Sequence, residues 1–251
     1  MADAPLLEID DVHVRFGGVV AVNGASFSVG AGRIVGLMGP NGAGKTTLFN
    51  VITGLQEPTA GRVRLEGRDI TKVAPRQRAL SGIGRTFQRL EVFGSLSVAD
   101  NIRVAAEMRG ISHPERVRDE LLARVGLRAF AHATADAVPT GIARLTELAR
   151  ALACDPRLLL LDEPSSGLSE SETDDFAKLV RSLAEDDGRS VLIVEHDVDL
   201  VLGLCSAIHV LDFGSIIASG PPSVIRADKR VQDAYLGADT GAADELEEVG
   251  A

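Results

Sequence analysis

The chain has 251 residues, 45% of them hydrophobic and 25% charged, with a formal net charge of −10. This composition fits one large globular domain, or one core with an inserted lobe, and the acidic balance argues against a broad nucleic-acid-binding surface. No apolar run approaches the roughly 18 residues that a bilayer-spanning helix needs, and Met-Ala-Asp-Ala-Pro at the N-terminus lacks the pattern of a secretory signal. Cys154 and Cys205 form no C-x-x-C pair and read as small buried hydrophobes in a reducing compartment. The expectation is a cytosolic protein that meets a membrane only through partners.

Leu7, Ile9, Val12 and Val14 alternate with polar residues, and Val20, Val22, Phe27 and Val29 mark a second such stretch. Both read as antiparallel strands. Arg33–Met38 is a short, mostly apolar strand. Gly39-Pro40-Asn41-Gly42-Ala43-Gly44-Lys45-Thr46 follows and matches G-x-x-x-x-G-K-[ST], a phosphate-binding loop. The helix after it, Thr46-Thr47-Leu48-Phe49-Asn50-Val51-Ile52, is stopped by Gly54. Strand, loop and helix come in the order that lets backbone amides and a helix N-terminus cradle a polyphosphate. Lys45 would reach the β- and γ-phosphates, and the Thr46 hydroxyl would ligate Mg²⁺.

Arg62–Gly67 reads as a third antiparallel strand and Ile83–Phe87 as a core strand. The pattern then turns helical. Ser97-Val98-Ala99-Asp100 resembles a capping box with Asp in place of Glu; its helix runs to Met108 and stops at Gly110. A second helix starts at Pro114 and ends near Gly126, and a third covers Arg144 to Ala153. Strand and helix alternation resumes with Arg157–Leu161, Ser171–Ala184, Ser190–Val194 and Val198–Leu204. Ile208–Asp212 and Ser215–Ser219 form a closing hairpin around Phe213-Gly214. The alternation predicts a parallel sheet. Asp244-Glu245-Leu246-Glu247-Glu248 makes the terminus read as a solvated, disordered tail.

Ligands of open α/β sheets sit at the carboxyl ends of the strands. One strand ends in the phosphate loop. Leu158-Leu159-Leu160-Leu161 ends in Asp162-Glu163-Pro164, and Val191-Leu192-Ile193-Val194 ends in Glu195-His196-Asp197. Asp162 is placed to hold Mg²⁺, directly or through water. Glu163, one residue further out, can orient or deprotonate a water in line with the γ-phosphate. His196 can hydrogen-bond the γ-phosphate and that water. Gln88 can offer its amide oxygen to Mg²⁺ or the water.

These residues together resemble an ATP-binding-cassette ATPase, the nucleotide-binding subunit of ABC transporters. The matching segments are Phe16 in Arg15-Phe16-Gly17-Gly18, Gly39 to Thr47, Gln88, Asp162-Glu163-Pro164 and His196. The resemblance implies an α/β P-loop NTPase (ABC ATPase) core with an antiparallel β subdomain and an inserted α-helical subdomain. The ATP-binding domain would span 6–237, with core and β subdomain in 6–96 and 155–237, the helical signature subdomain in 97–154, and the acidic tail in 238–251. It implies ATP hydrolysis with Mg²⁺ by a head-to-tail pair of cassettes, and Phe16 stacked on adenine. The segments Phe16-Gly17-Gly18-Val19-Val20-Ala21-Val22, Gly84-Arg85-Thr86-Phe87-Gln88 and Val194-Glu195-His196-Asp197 look like ATPases of branched-chain amino acid importers. Permease subunits and, indirectly, a solute-binding protein would then be partners, at the cytoplasmic face of the membrane, and nucleic acid would not. A coupling helix of a permease would dock near Gln88, Arg89 and Phe93.

The chain departs from the family at the signature, L-S-G-G-Q or L-S-Y-G-Q, which here reads Val138-Pro139-Thr140-Gly141-Ile142. Gly141 survives. Pro139 replaces the serine that would donate to a γ-phosphate and has neither hydroxyl nor N–H; Ile142 replaces glutamine, and Ser169 stands where Asp or Asn is usual. Pro139, Thr140, Gly141 and Ile142 would face the partner's ATP. A homodimer would then hydrolyse slowly, whereas a heterodimer with an ordinary partner would complete the site on this chain. The alternatives are a soluble or regulatory cassette with weak ATPase, and a kinase or GTPase; the guanine motif N-K-x-D is absent.

Overall fold

The computed structural model describes residues 5–235, so the acidic tail and the last two residues of the expected domain lie outside the described residues. Strands β1 (Leu7–Phe16), β2 (Val19–Val29), β4 (Ala60–Leu65) and β5 (Arg68–Asp69) form an antiparallel sheet in the order β2-β1-β4-β5. Strands β3 (Ile34–Met38), β6 (Ile83–Arg85), β7 (Leu158–Asp162), β8 (Ser190–Val194), β9 (Ala207–Asp212) and β10 (Ser215–Gly220) form a second sheet in the order β10-β9-β3-β8-β7-β6. All its pairings are parallel except that of β10 with β9. The expected α/β core with an antiparallel β subdomain is present.

Every residue of β3, β7 and β8 is buried, as near-continuous apolar runs between two covering layers require. Alternation along β7 divides the core. Leu159 and Leu161 join the cluster built by the helices between residues 98 and 153 and those after β7, whereas Leu158 and Leu160 face the antiparallel sheet and helix α1 (Lys45–Thr53). In register, Leu37 lies opposite Val194, and Val194 opposite Asp162. The carboxyl ends of β3, β8 and β7 are therefore level, and this places the site.

Helices α3 (Val98–Arg109), α4 (Pro114–Arg124) and α5 (Thr140–Ala153) form the expected helical lobe between β6 and β7. The Ser97 hydroxyl accepts from the Asp100 amide, and left-handed Gly110 closes α3. Helix α5 corrects the sequence reading: it starts at Thr140, not Arg144. Proline's fixed φ suits a helix entry, so Pro139 opens the helix and the signature segment is its first turn. Strand β6 stops at Arg85 rather than Phe87: the Thr86 amide still donates to the Leu160 carbonyl, but Glu147 and Arg144 of α5 take the amide and carbonyl of Phe87. Helices α2 (Pro75–Leu80) and α8 (Pro222–Ala227) escape the sequence reading; α6 (Glu170–Glu185) and α7 (Val198–Leu204) follow it closely. No helix among the described residues is long and apolar enough to cross a membrane.

Candidate nucleotide site

The loop from Gly39 to Gly44 joins β3 to α1 under tight steric constraint. Gly39 has φ +149°, and a Cβ there would lie 2.0 Å from the Leu211 carbonyl oxygen. Gly44, the N-cap of α1, has φ +107°, and its Cβ would lie 2.4 Å from the Ala21 oxygen. Both positions demand glycine, for conformation and for space. The first-turn amides of α1 have no partner within the helix and favour negative charge. Lys45 is buried, and its ammonium donates to the carbonyls of Gly39 at 2.7 Å and Pro40 at 2.9 Å. Burial lowers its pKa, while Glu163 and Asp162 pull it back up. Thr46 stands exposed on the first turn, with Thr47 half-buried beside it; Asn41 and Gly42 are exposed, and Ala43 is buried.

The ends of β7 and β8 bring the expected reactive groups together. Glu163 sits in the left-handed region at φ +49°, an unusual conformation for this residue type. Its amide donates to the Val194 carbonyl at 2.9 Å. Its carboxylate lies between two partners: His196 Nε2 is 2.6 Å from Oε1, and Gln88 Nε2 donates to Oε2 at 2.9 Å. Asp162 is almost wholly buried, and Oδ2 accepts from Arg85 at 2.9 Å. Burial raises its pKa against the pull of Arg85. The Asp162 Oδ1 oxygen is buried with no hydrogen-bond partner.

That orphaned oxygen is the observation that fits a divalent cation. Among the described residues no group of three or more His, Cys, Asp and Glu side chains could hold a metal. A cation here would take a mixed oxygen set, the Thr46 hydroxyl, the Gln88 amide oxygen and Asp162 Oδ1, as Mg²⁺ bound beside phosphates prefers.

Phe16 pairs with Val19 at the tip of the β1–β2 hairpin and is 50% exposed. On the partner strand β2, Ala21 and Val22 touch the Gly44 position, so the aromatic ring projects from the hairpin whose second strand flanks the loop. The signature segment lies elsewhere. A Cβ on Gly141 would come within 2.5 Å of Glu172 Oε1, and Thr140 lies against Gly167. Thr140 and Gly141 therefore lie against the loop after β7 and the start of α6, and Pro139 and Thr140 are exposed.

Several residues of the site are given no role by the sequence reading. Arg85 ties Asp162 to Asn50 of α1. Arg144 donates to the carbonyls of Phe87 and Gln88 at 3.0 and 2.8 Å, and Glu147 accepts from the Phe87 amide at 3.0 Å. Buried Glu195 accepts from the Ser165 and His196 amides. The Tyr235 hydroxyl accepts from the Gly39 amide at 2.9 Å. A groove of about 450 Å³ beside this network is lined by Leu80, Phe87, Phe93, Met108 and Arg150, among others, and the Arg150 guanidinium lies 4.4 Å over the Phe93 ring.

The family model described as ABC transporter matches residues 22–166. That described as branched-chain amino acid ATP-binding cassette transporter matches residues 215–240. The chain is 37% identical over 250 residues to the high-affinity branched-chain amino acid transport ATP-binding protein BraF of Pseudomonas aeruginosa, covering 93% of this chain and 98% of the relative. It is 36% identical over the same length and shares to the corresponding protein LivG of Salmonella typhimurium. A crystal structure of the ADP conformation of an ATP-binding cassette of an ABC transporter aligns with TM-score 0.85 at 30% identity, covering 93% of this chain and 99% of that one.

Proposed function

The chain belongs to the ABC transporter family as an ATP-binding cassette ATPase, and we propose that it powers an importer of branched-chain amino acids or similar small polar solutes. The match over residues 215–240 and the names of the relatives support that substrate class. Its partners in this reading are a second cassette, permease subunits and, through them, a solute-binding protein, at the cytoplasmic face of the membrane. The groove beside Gln88, Arg89 and Phe93 receives a permease helix. Nucleic acid has no part in it.

The observation that carries the catalytic assignment is the Gln88–Glu163–His196 cluster at the level of the phosphate loop. Loop amides and Lys45 bind the phosphates, and Phe16 stacks on adenine. Thr46, Gln88 and Asp162 would hold Mg²⁺, which when bound would supply positive charge against that developing on the phosphoryl oxygens. Each Glu163 oxygen has two acceptor positions, so either can bond its present partner and still accept a proton from water. Gln88 and His196 orient that carboxylate, and catalysis rests on position and electrostatics. Pro139, Thr140, Gly141 and Ile142 serve the nucleotide bound by the second cassette.

A second reading, a regulatory cassette of weak turnover, draws on Pro139, which gives α5 no side-chain cap bond. Steady-state ATPase of the purified chain, alone and with its operon partners, separates the two. Turnover that rises on adding the partner cassette and permeases supports the transport reading. Lack of response to them, or co-purification with RNA or DNA, overturns it.

A further inference from the structure

We propose that Arg85 is a positioning residue of the nucleotide site: it clamps one oxygen of Asp162 so that the other is the oxygen presented to the divalent cation. The proposal rests on the reading that Asp162 helps to hold Mg²⁺. Arg85 ends β6 opposite Leu160 of β7. From there its guanidinium reaches across the layers. Nη2 donates to Asp162 Oδ2 at 2.9 Å, and Nη1 donates to Asn50 Oδ1 at 2.7 Å. The group also lies 4.8 Å from the Phe87 ring centre and 5.4 Å from that of Phe49. Its side chain is 6% exposed and that of Asp162 is 1% exposed, so neither can turn away into solvent.

With Oδ2 engaged, Oδ1 is left buried and unpartnered. Such an oxygen costs free energy unless a ligand completes it. A freely rotating carboxylate would exchange its two oxygens. The planar guanidinium fork, fixed at its other end by Asn50, removes that freedom. A fixed oxygen suits Mg²⁺, which demands near-octahedral geometry at short distance.

Electrostatics and positioning predict opposite signs. A guanidinium beside a cation repels it, so if charge were its whole effect, removing Arg85 would tighten Mg²⁺ binding. If Arg85 aims the carboxylate, removing it weakens binding. The experiment measures ATP binding to the full-length chain against Mg²⁺ concentration, with Mn²⁺ binding followed by electron paramagnetic resonance in the presence of ATP. Arg85→Met is expected to raise the half-saturating Mg²⁺ concentration about 10- to 100-fold, with ATP affinity in EDTA unchanged. Arg85→Lys is expected to recover part of the loss by restoring one ion pair. Asn50→Ala, which frees the far end of the fork, shifts Mg²⁺ in the same direction by less and carries the test if Arg85→Met does not fold. Unchanged or tighter Mg²⁺ binding in a folded variant would overturn the proposal alone. Wild-type ATP binding that ignores Mg²⁺ would overturn it together with the cation reading beneath it.

Discussion

Glu163 Oε1 lies 2.6 Å from His196 Nε2, across a chain separation of 33 residues, and Gln88 bonds the other oxygen from 75 residues away. The carboxylate is thus oriented from both sides. Glu163→Gln keeps the shape and removes the proton acceptor. ATP hydrolysis is expected to fall by roughly 10²- to 10⁴-fold, while equilibrium ATP binding stays close to wild type. A variant with near-normal turnover in a steady-state phosphate-release assay would show that another group serves as the base.

Arg144 and Glu147 of α5 hold the backbone on which Gln88 depends. Arg144 is 8% exposed, bonds two successive carbonyls and lies 3.5 Å from Glu147. Arg144→Ala leaves both carbonyls and a buried carboxylate short of a partner, a loss of about 3–5 kcal/mol in stability. Arg144→Lys cannot reproduce the fork and is expected to fall between the two. Urea unfolding gives the stability change, and hydrogen exchange at residues 87–90 reports whether the loop loosens. Unchanged protection there would mean that the bonds do not hold it.

Burial pushes the Glu147 carboxyl above its usual range, against the Phe87 amide and Arg144. A carboxyl raised on folding adds stability that is complete below its unfolded pKa, about 4. That stability is lost as pH rises through the folded value. Asp69, Glu172 and Asp228 are lowered by hydrogen bonds to Thr71, Ser169 and Arg230 respectively; their contribution has the opposite sign, and its window lies below the ordinary values. Above about pH 4, then, the Glu147 contribution should decline with rising pH, as should that of Asp162, whose carboxyl burial also raises. Glu147→Gln should flatten that part of the stability profile measured by urea midpoints. An identical slope in wild type and variant would exclude Glu147 as its source.

The strand–loop–helix around Lys45 and the acids after β7 were legible because local spacing carries them: glycines where φ is positive, and apolar runs where a strand is covered on both faces. Register then turned separate strand ends into one site. Arg85, Arg144, Glu195 and Tyr235 act through partners far along the chain, and a single sequence gives no spacing for that. Helix α2 and strand β5 span six and two residues, too short for periodicity to register. The sequence reading starts α5 at Arg144, past a proline and a glycine, the two residue types least favourable in a helix interior. In the fold, the proline opens the helix, and Gly141 permits close approach to Glu172.

Pro139 is where the signature can be tested most directly. It caps α5 from an extended conformation, φ −55° and ψ 154°, and offers no side-chain bond to the first turn. Serine accepts this backbone and adds a hydroxyl that can bond the N2 or N3 amide, worth about 1 kcal/mol. Pro139→Ser is therefore expected to raise thermal stability slightly. If the segment faces ATP on a second copy, the same hydroxyl supplies the missing donor, and ATPase of the chain alone should rise severalfold. Paired with a cassette of ordinary signature, this chain's own loop is already served, so the variant should change only the partner's site. Equal ATPase in wild type and Pro139→Ser, with the stability gain present, would show that the replaced serine does not limit turnover.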